Sequence, residues 1–216
     1  MIDRKIKLAQ WGHLVRWAAN NNYNTLVIPL EYLLRLTKKK TARLLKIADS
    51  EKMAVEAGGW ELSRFIPRHL YFFRRELFRM DFGRRKLKFN FCPTNPKTIE
   101  YLKKGVFRLL GKIAARFDSG RILPVFHLWP DRSKENVWCS CPACRAFTPA
   151  EQNLIAVNSA ADALAEICPQ AKISWLDLSE NAAQNPPAAG IQPRHNAFAV
   201  KPAPLCLSET VYKPGR

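Results

Sequence analysis

The chain has 216 residues, 47% of them hydrophobic and 11% aromatic, enough apolar material for a sizeable core, and its 25% charged content is ordinary for a globular protein. The N-terminus is interrupted by charge every few residues, and no later run of about 18 apolar residues could span a bilayer, so a signal-peptide core and a membrane span are excluded and a cytoplasmic protein is expected. The formal net charge is +17, and all of the excess lies in residues 1–116, with 26 Lys and Arg against 9 Asp and Glu; residues 117–216 hold 9 of each. Such an excess suits an anionic partner, whether nucleic acid or another acidic surface.

Residues 4–20 place Ile6, Leu14, Val15 and Trp17 at helical spacing, and 23–31 then reads as a strand. Residues 32–50 are again helix-like, 52–59 form a strand ending in Gly58 and Gly59, and 86–96 reads as a strand running into a helix start. Asn95 is placed to cap that helix with Pro96 first inside it, and Ile99, Leu102, Val106, Leu109, Leu110 and Ile113 give it an apolar face. A strand at 121–131 follows, then a cysteine-bearing loop, then a helix opened by Thr148, Pro149 and Glu151 as a capping box. Strands at 171–180 and 195–204 complete the series, separated by a Pro- and Ala-rich stretch of loop composition. Alternating helices and about six strands in one domain over 1–216 argue for a parallel sheet. Of its two forms, a (β/α)8 barrel is preferred to a doubly wound layer, because no Gly-rich phosphate turn follows any strand.

Side chains alternate along a strand. One parity collects apolar residues, including Leu26, Ile28, Val55, Leu87, Phe89, Phe126, Leu128, Leu176, Phe198 and Val200, and is expected to face the helices. The other collects Glu31, Glu56, Asn90, Cys92, His127, Trp129, Asp131, Trp175, Asp177 and Lys201 toward the C-terminal ends, where α/β enzymes build their sites.

Three motifs stand in order along this frame: CPTNP at 92–96, WPD at 129–131 and C-x-C-x-x-C at 139–144. With residues of about 50–180 around them, they resemble a bacterial family of uncharacterised domains related to glycoside hydrolases, with barrels similar to those of α-glucuronidases and β-hexosaminidases. The resemblance implies a (β/α)8 glycosidase-like fold and a carbohydrate ligand. It also implies that strands one and eight of a full barrel are absent from this length, and it differs from the family pattern at Trp60, where His is usual. An open partial barrel is expected to self-associate through its edges and to hydrolyse weakly.

Glycosidic hydrolysis needs two carboxyl groups, one acid and one nucleophile or base. Asp131 is assigned the acid, with Asp177 and Glu56 competing for the second role; Asn90, His127, Trp60, Trp129, Trp175 and Lys201 are expected to bind substrate, and no cofactor is required for catalysis. Trp138 offers a further ring face. Cys139, Cys141 and Cys144 give three thiolates where a structural zinc wants four ligands, and Cys92 is the best fourth, with His127 as the alternative. Free thiols and a disulfide stay open. Two other functions stay open: a carbohydrate-binding remnant without activity, and a nucleic-acid module resting on the basic runs at 38–40, 74–75 and 84–86, the latter disfavoured because no RNA-recognition or helix-turn-helix signature is present.

Overall fold

The computed structural model describes residues 8–114, 123, 125–131, 138–176 and 190–200. Its elements begin where local chemistry dictates. Helix α1 (Leu8–Asn20) leads to strand β1 (Thr25–Pro29), and α2 (Leu30–Arg35) starts at once, so the strand expected over 23–31 ends early and Glu31 is helical. The helix expected over 32–50 is broken by extended backbone at Leu36 and Thr37; Thr37 then caps α3 (Lys38–Ser50) by accepting the Lys40 N–H. Strand β2 (Ala54–Glu61) does not stop at its Gly pair.

An excursion over 62–95 follows, with three short 3-10 turns and a small hairpin of β3 (Met80–Asp81) and β4 (Arg84–Arg85). Then comes α4 (Pro96–Ala114), capped by Asn95, whose Oδ1 accepts from Lys97 N at 2.9 Å. After β5 (Val125–Trp129), α5 (Pro149–Ile167) opens with the expected capping box: Thr148 N donates to Glu151 Oε2 at 2.7 Å and Glu151 N to Thr148 Oγ1 at 3.2 Å. Strands β6 (Lys172–Leu176) and β7 (Ala197–Val200) complete the described sheet.

The sheet order is β1-β2-β5-β6-β7, and every pairing is parallel. Each strand lies beside the next in sequence, and the order never reverses as it does at the switch point of a doubly wound sheet. The architecture is therefore α/β, an arc of a (β/α) barrel with helices on its outer side. Leu26, Ile28, Val55, Ala57, Phe126, Leu128 and Ile173 form the outer face of the sheet and are buried in one cluster with residues of α1, α3, α4 and α5. Gly105 in α4 permits a close approach, since a Cβ there would lie 2.9 Å from the Phe65 ring.

Two sequence expectations are corrected. Residues 86–92 are not a strand: Phe89 and Asn90 have φ of 59° and 33°, left-handed values that no strand accommodates, and β2 pairs directly with β5. The described sheet thus holds five of the six expected strands. The faces of β6 and β7 are also the reverse of those expected. His127 pairs with Ser174 and Phe126 with Ile173, so Ser174 lies on the inner face while Trp175 shares the helix side with Ile173. In β7, Phe198 and Val200 pair with Ser174 and Leu176 on the inner face.

Candidate functional site

The inner face of the sheet carries a buried polar chain. His127 Nε2 lies 2.7 Å from Glu56 Oε2, and His127 Nδ1 lies 2.5 Å from Ser174 Oγ. Ser174 is fully buried, His127 nearly so, and Glu56 half-buried. A neutral ring with its proton on Nε2 satisfies all three groups, donating to Glu56 and accepting the Ser174 hydroxyl. Gly58 makes room: a Cβ there would lie 2.7 Å from Val27 Cγ1 and 3.0 Å from His127 Cβ. Glu56 is the third residue of an eight-residue strand, so this network lies inside the sheet's curve and not at its C-terminal rim.

The rim is set by a bulge. Ala57 pairs with Phe126 but Trp60 pairs with Leu128, so β2 spends one extra residue at Gly58 and Gly59, the latter at φ 73°. The extra residue reverses the faces beyond it. Trp60 packs on the outer core and against Phe65 at 6.1 Å, away from the position expected of it, while Glu61 comes to the inner side beside Trp129. Glu61 then lines a cleft of about 320 Å³ with Arg68, Leu87, Lys88, Phe89 and Asp131. Trp129 sits at the end of β5, 6.3 Å from the His127 ring in an edge arrangement.

Asp131 and Asn90 form a reciprocal clamp in this cleft. Asn90 N donates to Asp131 Oδ2 at 2.8 Å, and Asp131 N donates to Asn90 Oδ1 at 2.9 Å. Arg68 Nη2 also reaches Asp131 Oδ2 at 3.2 Å, and its guanidinium further holds Ser63 Oγ and the Leu87 carbonyl. Asp131 is 8% exposed, and among the described residues its Oδ1 has no partner. The clamp holds Phe89 and Asn90 left-handed, at a cost of about 1–2 kcal/mol each for L-residues, and so turns Phe89 and Lys88 toward the cleft. Arg79, itself buried, adds a bond from Nε to the Lys88 carbonyl at 3.0 Å.

A second cluster lies beside the excursion. The Sγ atoms of Cys92, Cys139, Cys141 and Cys144 all fall within 4.8 Å of one another, and all four residues are buried. Cys92 lies 3.7 Å from both Cys141 and Cys144. A disulfide needs about 2.05 Å, so these are thiols; a tetrahedral ion with sulfur at about 2.3 Å sets sulfurs about 3.8 Å apart. The four cysteines therefore have the chemistry and spacing to bind a metal. Met80 N donates to Cys139 Sγ at 3.2 Å, and Thr94 Oγ1 lies 3.1 Å from Cys144 Sγ. Buried Gln152, near the start of α5, latches the loop by accepting from Cys139 N and donating to the carbonyls of Cys139 and Cys144. The thiols share protons unequally. Hydrogen bonds from Cys139 and Cys144 hold Cys92 far below the usual thiol range, while Cys144 is raised by its bonds to Cys139 and Cys92 and by burial. At Cys139 a lowering bond from Cys144 is outweighed by the bond to Cys92 and by burial, which push it up to about 11.

Among the predicted site residues, the structure brings Asn90 and Asp131 together at the cleft, Glu56 and His127 together beneath it, and the four cysteines together apart from both. His127, the alternative metal ligand, is occupied by Glu56 and Ser174. Trp60 and Trp175 leave the site, and Asp177 and Lys201 lie outside the described residues. Glu61, Arg68 and Lys88 were not singled out by the sequence. The Gly-Gly pair was the available signal for Glu61, since glycines inside a strand pattern mark a bulge as readily as an end.

No protein-family model matches the chain, and no curated protein matches its sequence. Solved structures do match in fold. One is of the tandem GH20 catalytic modules of the pneumococcal exo-β-D-N-acetylglucosaminidase StrH: 8% identity, TM-score 0.57, covering 91% of this chain and 56% of that one. Another StrH structure, on N-glycan recognition and hydrolysis, matches at 8% identity and TM-score 0.59, covering 92% and 56%. The chain thus spans about half the length of these structures, and at such identity the likeness concerns the fold alone, an α/β arc of a (β/α) barrel. Among the described residues no helix is long and apolar enough to cross a membrane.

Proposed function

We propose that the cleft at the C-terminal rim binds carbohydrate and hydrolyses a glycosidic bond, with Glu61 and Asp131 as its two carboxyl groups. The observation that carries this reading is a cleft at the rim lined by two carboxyl groups, Asp131 and the Glu61 that the β2 bulge delivers. Glu61 ends β2 beside Trp129, and Asp131 follows β5 two residues later, so the two carboxyl groups leave neighbouring strand ends, and the reading requires them to stand within the separation of about 5–9.5 Å found between glycosidase carboxyl groups.

The roles follow from the contacts. Asp131, whose Oδ2 accepts two N–H donors, serves as the carboxylate. Glu61, half-exposed and open to solvent, is the carboxyl group left to donate the proton, and since its contact with Arg64 at 3.2 Å favours the ionised form, the role requires substrate to displace Arg64. In this reading Asp131, expected from the sequence to be the acid, becomes the carboxylate instead, and Glu56, a candidate for the second role, takes a supporting one in which the Glu56, His127 and Ser174 chain stiffens the floor. The test is a panel of aryl glycosides. Hydrolysis by the native protein and a loss on the order of 100-fold in Glu61→Gln, the usual size of a general-acid contribution, support the proposal. Unchanged turnover in Glu61→Gln removes Glu61 from it, and binding without any turnover reduces the site to a carbohydrate receptor.

The four-cysteine cluster is read as a structural zinc site, because its two 3.7 Å sulfur spacings match a tetrahedral edge. Zinc would be held by Cys92, Cys139, Cys141 and Cys144, tying the loop before α5 to the excursion that carries the clamp. It supplies cross-linking there and no part of the reaction.

A further inference from the structure

The excursion over 62–95 holds 9 Lys and Arg against 2 Asp and Glu, an excess of 7 within 34 residues. Several of these cations are committed: Arg68 to Asp131, Arg79 to Asp81, and Arg64 to Glu31 and Glu61. Lys88 is different. It lines the cleft, it is exposed, and no carboxylate among the described residues pairs with it. Its neighbours Leu87 and Phe89 line the same cleft, 36% and 37% exposed, so an apolar surface and a free ammonium stand side by side. The backbone that presents them is fixed from behind by Arg68 on the Leu87 carbonyl, Arg79 on the Lys88 carbonyl and Asp131 on the Asn90 N–H. Left-handed backbone at a bulky residue such as Phe89 persists only where surroundings enforce it, and such sites favour ligand contact. The excursion also leaves Phe72, Phe73 and Phe82 exposed, Phe82 at the hairpin tip with φ 45°.

We infer that the cleft is specific for an acidic sugar unit of a polysaccharide, with Lys88 meeting its anionic group and Phe89 and Leu87 covering a ring face. The inference rests on the carbohydrate reading above and adds the charge of the substrate. The excess over the rest of the excursion attracts a polyanion, while Lys88, unpaired among the described residues, selects where its charge is placed. A carboxylate and a sulfate ester share this chemistry.

The experiment measures binding of the full chain, at low and at physiological salt, to three polyuronates (polygalacturonate, alginate, hyaluronate), to their carboxyl-reduced neutral forms, to dextran sulfate and to oligo-dT. The expected result is binding of at least one polyuronate, about tenfold weaker in Lys88→Ala, with circular dichroism unchanged, and weaker by at least as much for its carboxyl-reduced form. Binding of dextran sulfate alone, with the same Lys88 dependence, assigns the anion as sulfate. Equal binding of reduced and unreduced polymers, insensitive to Lys88→Ala, overturns the inference and leaves the carbohydrate reading standing. Tight binding of oligo-dT with no binding of any polysaccharide overturns both, as does no binding at all.

Discussion

Asp131→Ala separates a residue that organises the cleft from one that only reacts in it. The substitution deletes the acceptor that Asn90 N uses, a bond of 2.8 Å in a buried setting. Losing a buried hydrogen bond to a charged acceptor costs about 1.5–3 kcal/mol. The Arg68 contact adds less, because Arg68 is about a third exposed and solvent screens the pair. The Asp131 N–H bond to Asn90 Oδ1 survives, since it uses the backbone. The loss is therefore about 2–3 kcal/mol, and for a chain of this size about 2–4 °C of melting temperature accompanies each kcal/mol. Differential scanning calorimetry should show Asp131→Ala melting roughly 4–12 °C below the native protein, and Asp131→Asn, which keeps an acceptor oxygen, falling between them. A melting temperature for Asp131→Ala within about 1 °C of native would refute the clamp.

Cys92→Ser should abolish stoichiometric zinc in protein purified without chelator, read by elemental analysis, and should loosen residues 80–95, read as faster amide exchange there; native protein free of zinc with four titratable thiols contradicts the site. Gly58→Ala should cost about 1–3 kcal/mol by overpacking, seen as a lower urea midpoint, because its methyl meets Val27 and His127 inside contact distance; an unchanged midpoint would show that the inner face is looser than described.

What the sequence discloses depends on how local the cause is. The starts of α4 and α5 are legible because Asn95, Pro96, Thr148 and Glu151 act within one turn. The gathering of Cys92 with the 139–144 loop is also anticipated, but from a strand ending at Cys92 that the structure does not form. The segment 86–92 misleads because its apolar alternation is that of a strand, while its conformation is set by partners as distant as Arg68, Arg79 and Asp131. Residues 173–176 offer an apolar residue on either parity, and only the pairing of Ser174 with His127 decides which faces inward. Glu61 was hidden by a single-residue bulge, since one extra residue exchanges the two faces of a strand.

A crystal structure with an oligosaccharide from the binding screen decides whether a sugar occupies the cleft between Glu61 and Asp131. The expected result is a sugar ring against Phe89 and Leu87, with the glycosidic oxygen within reach of Glu61. A sugar bound elsewhere, such as the groove between α4 and α5 lined by Lys103, Phe107 and Ala163, with the Glu61 and Asp131 cleft empty, would contradict it.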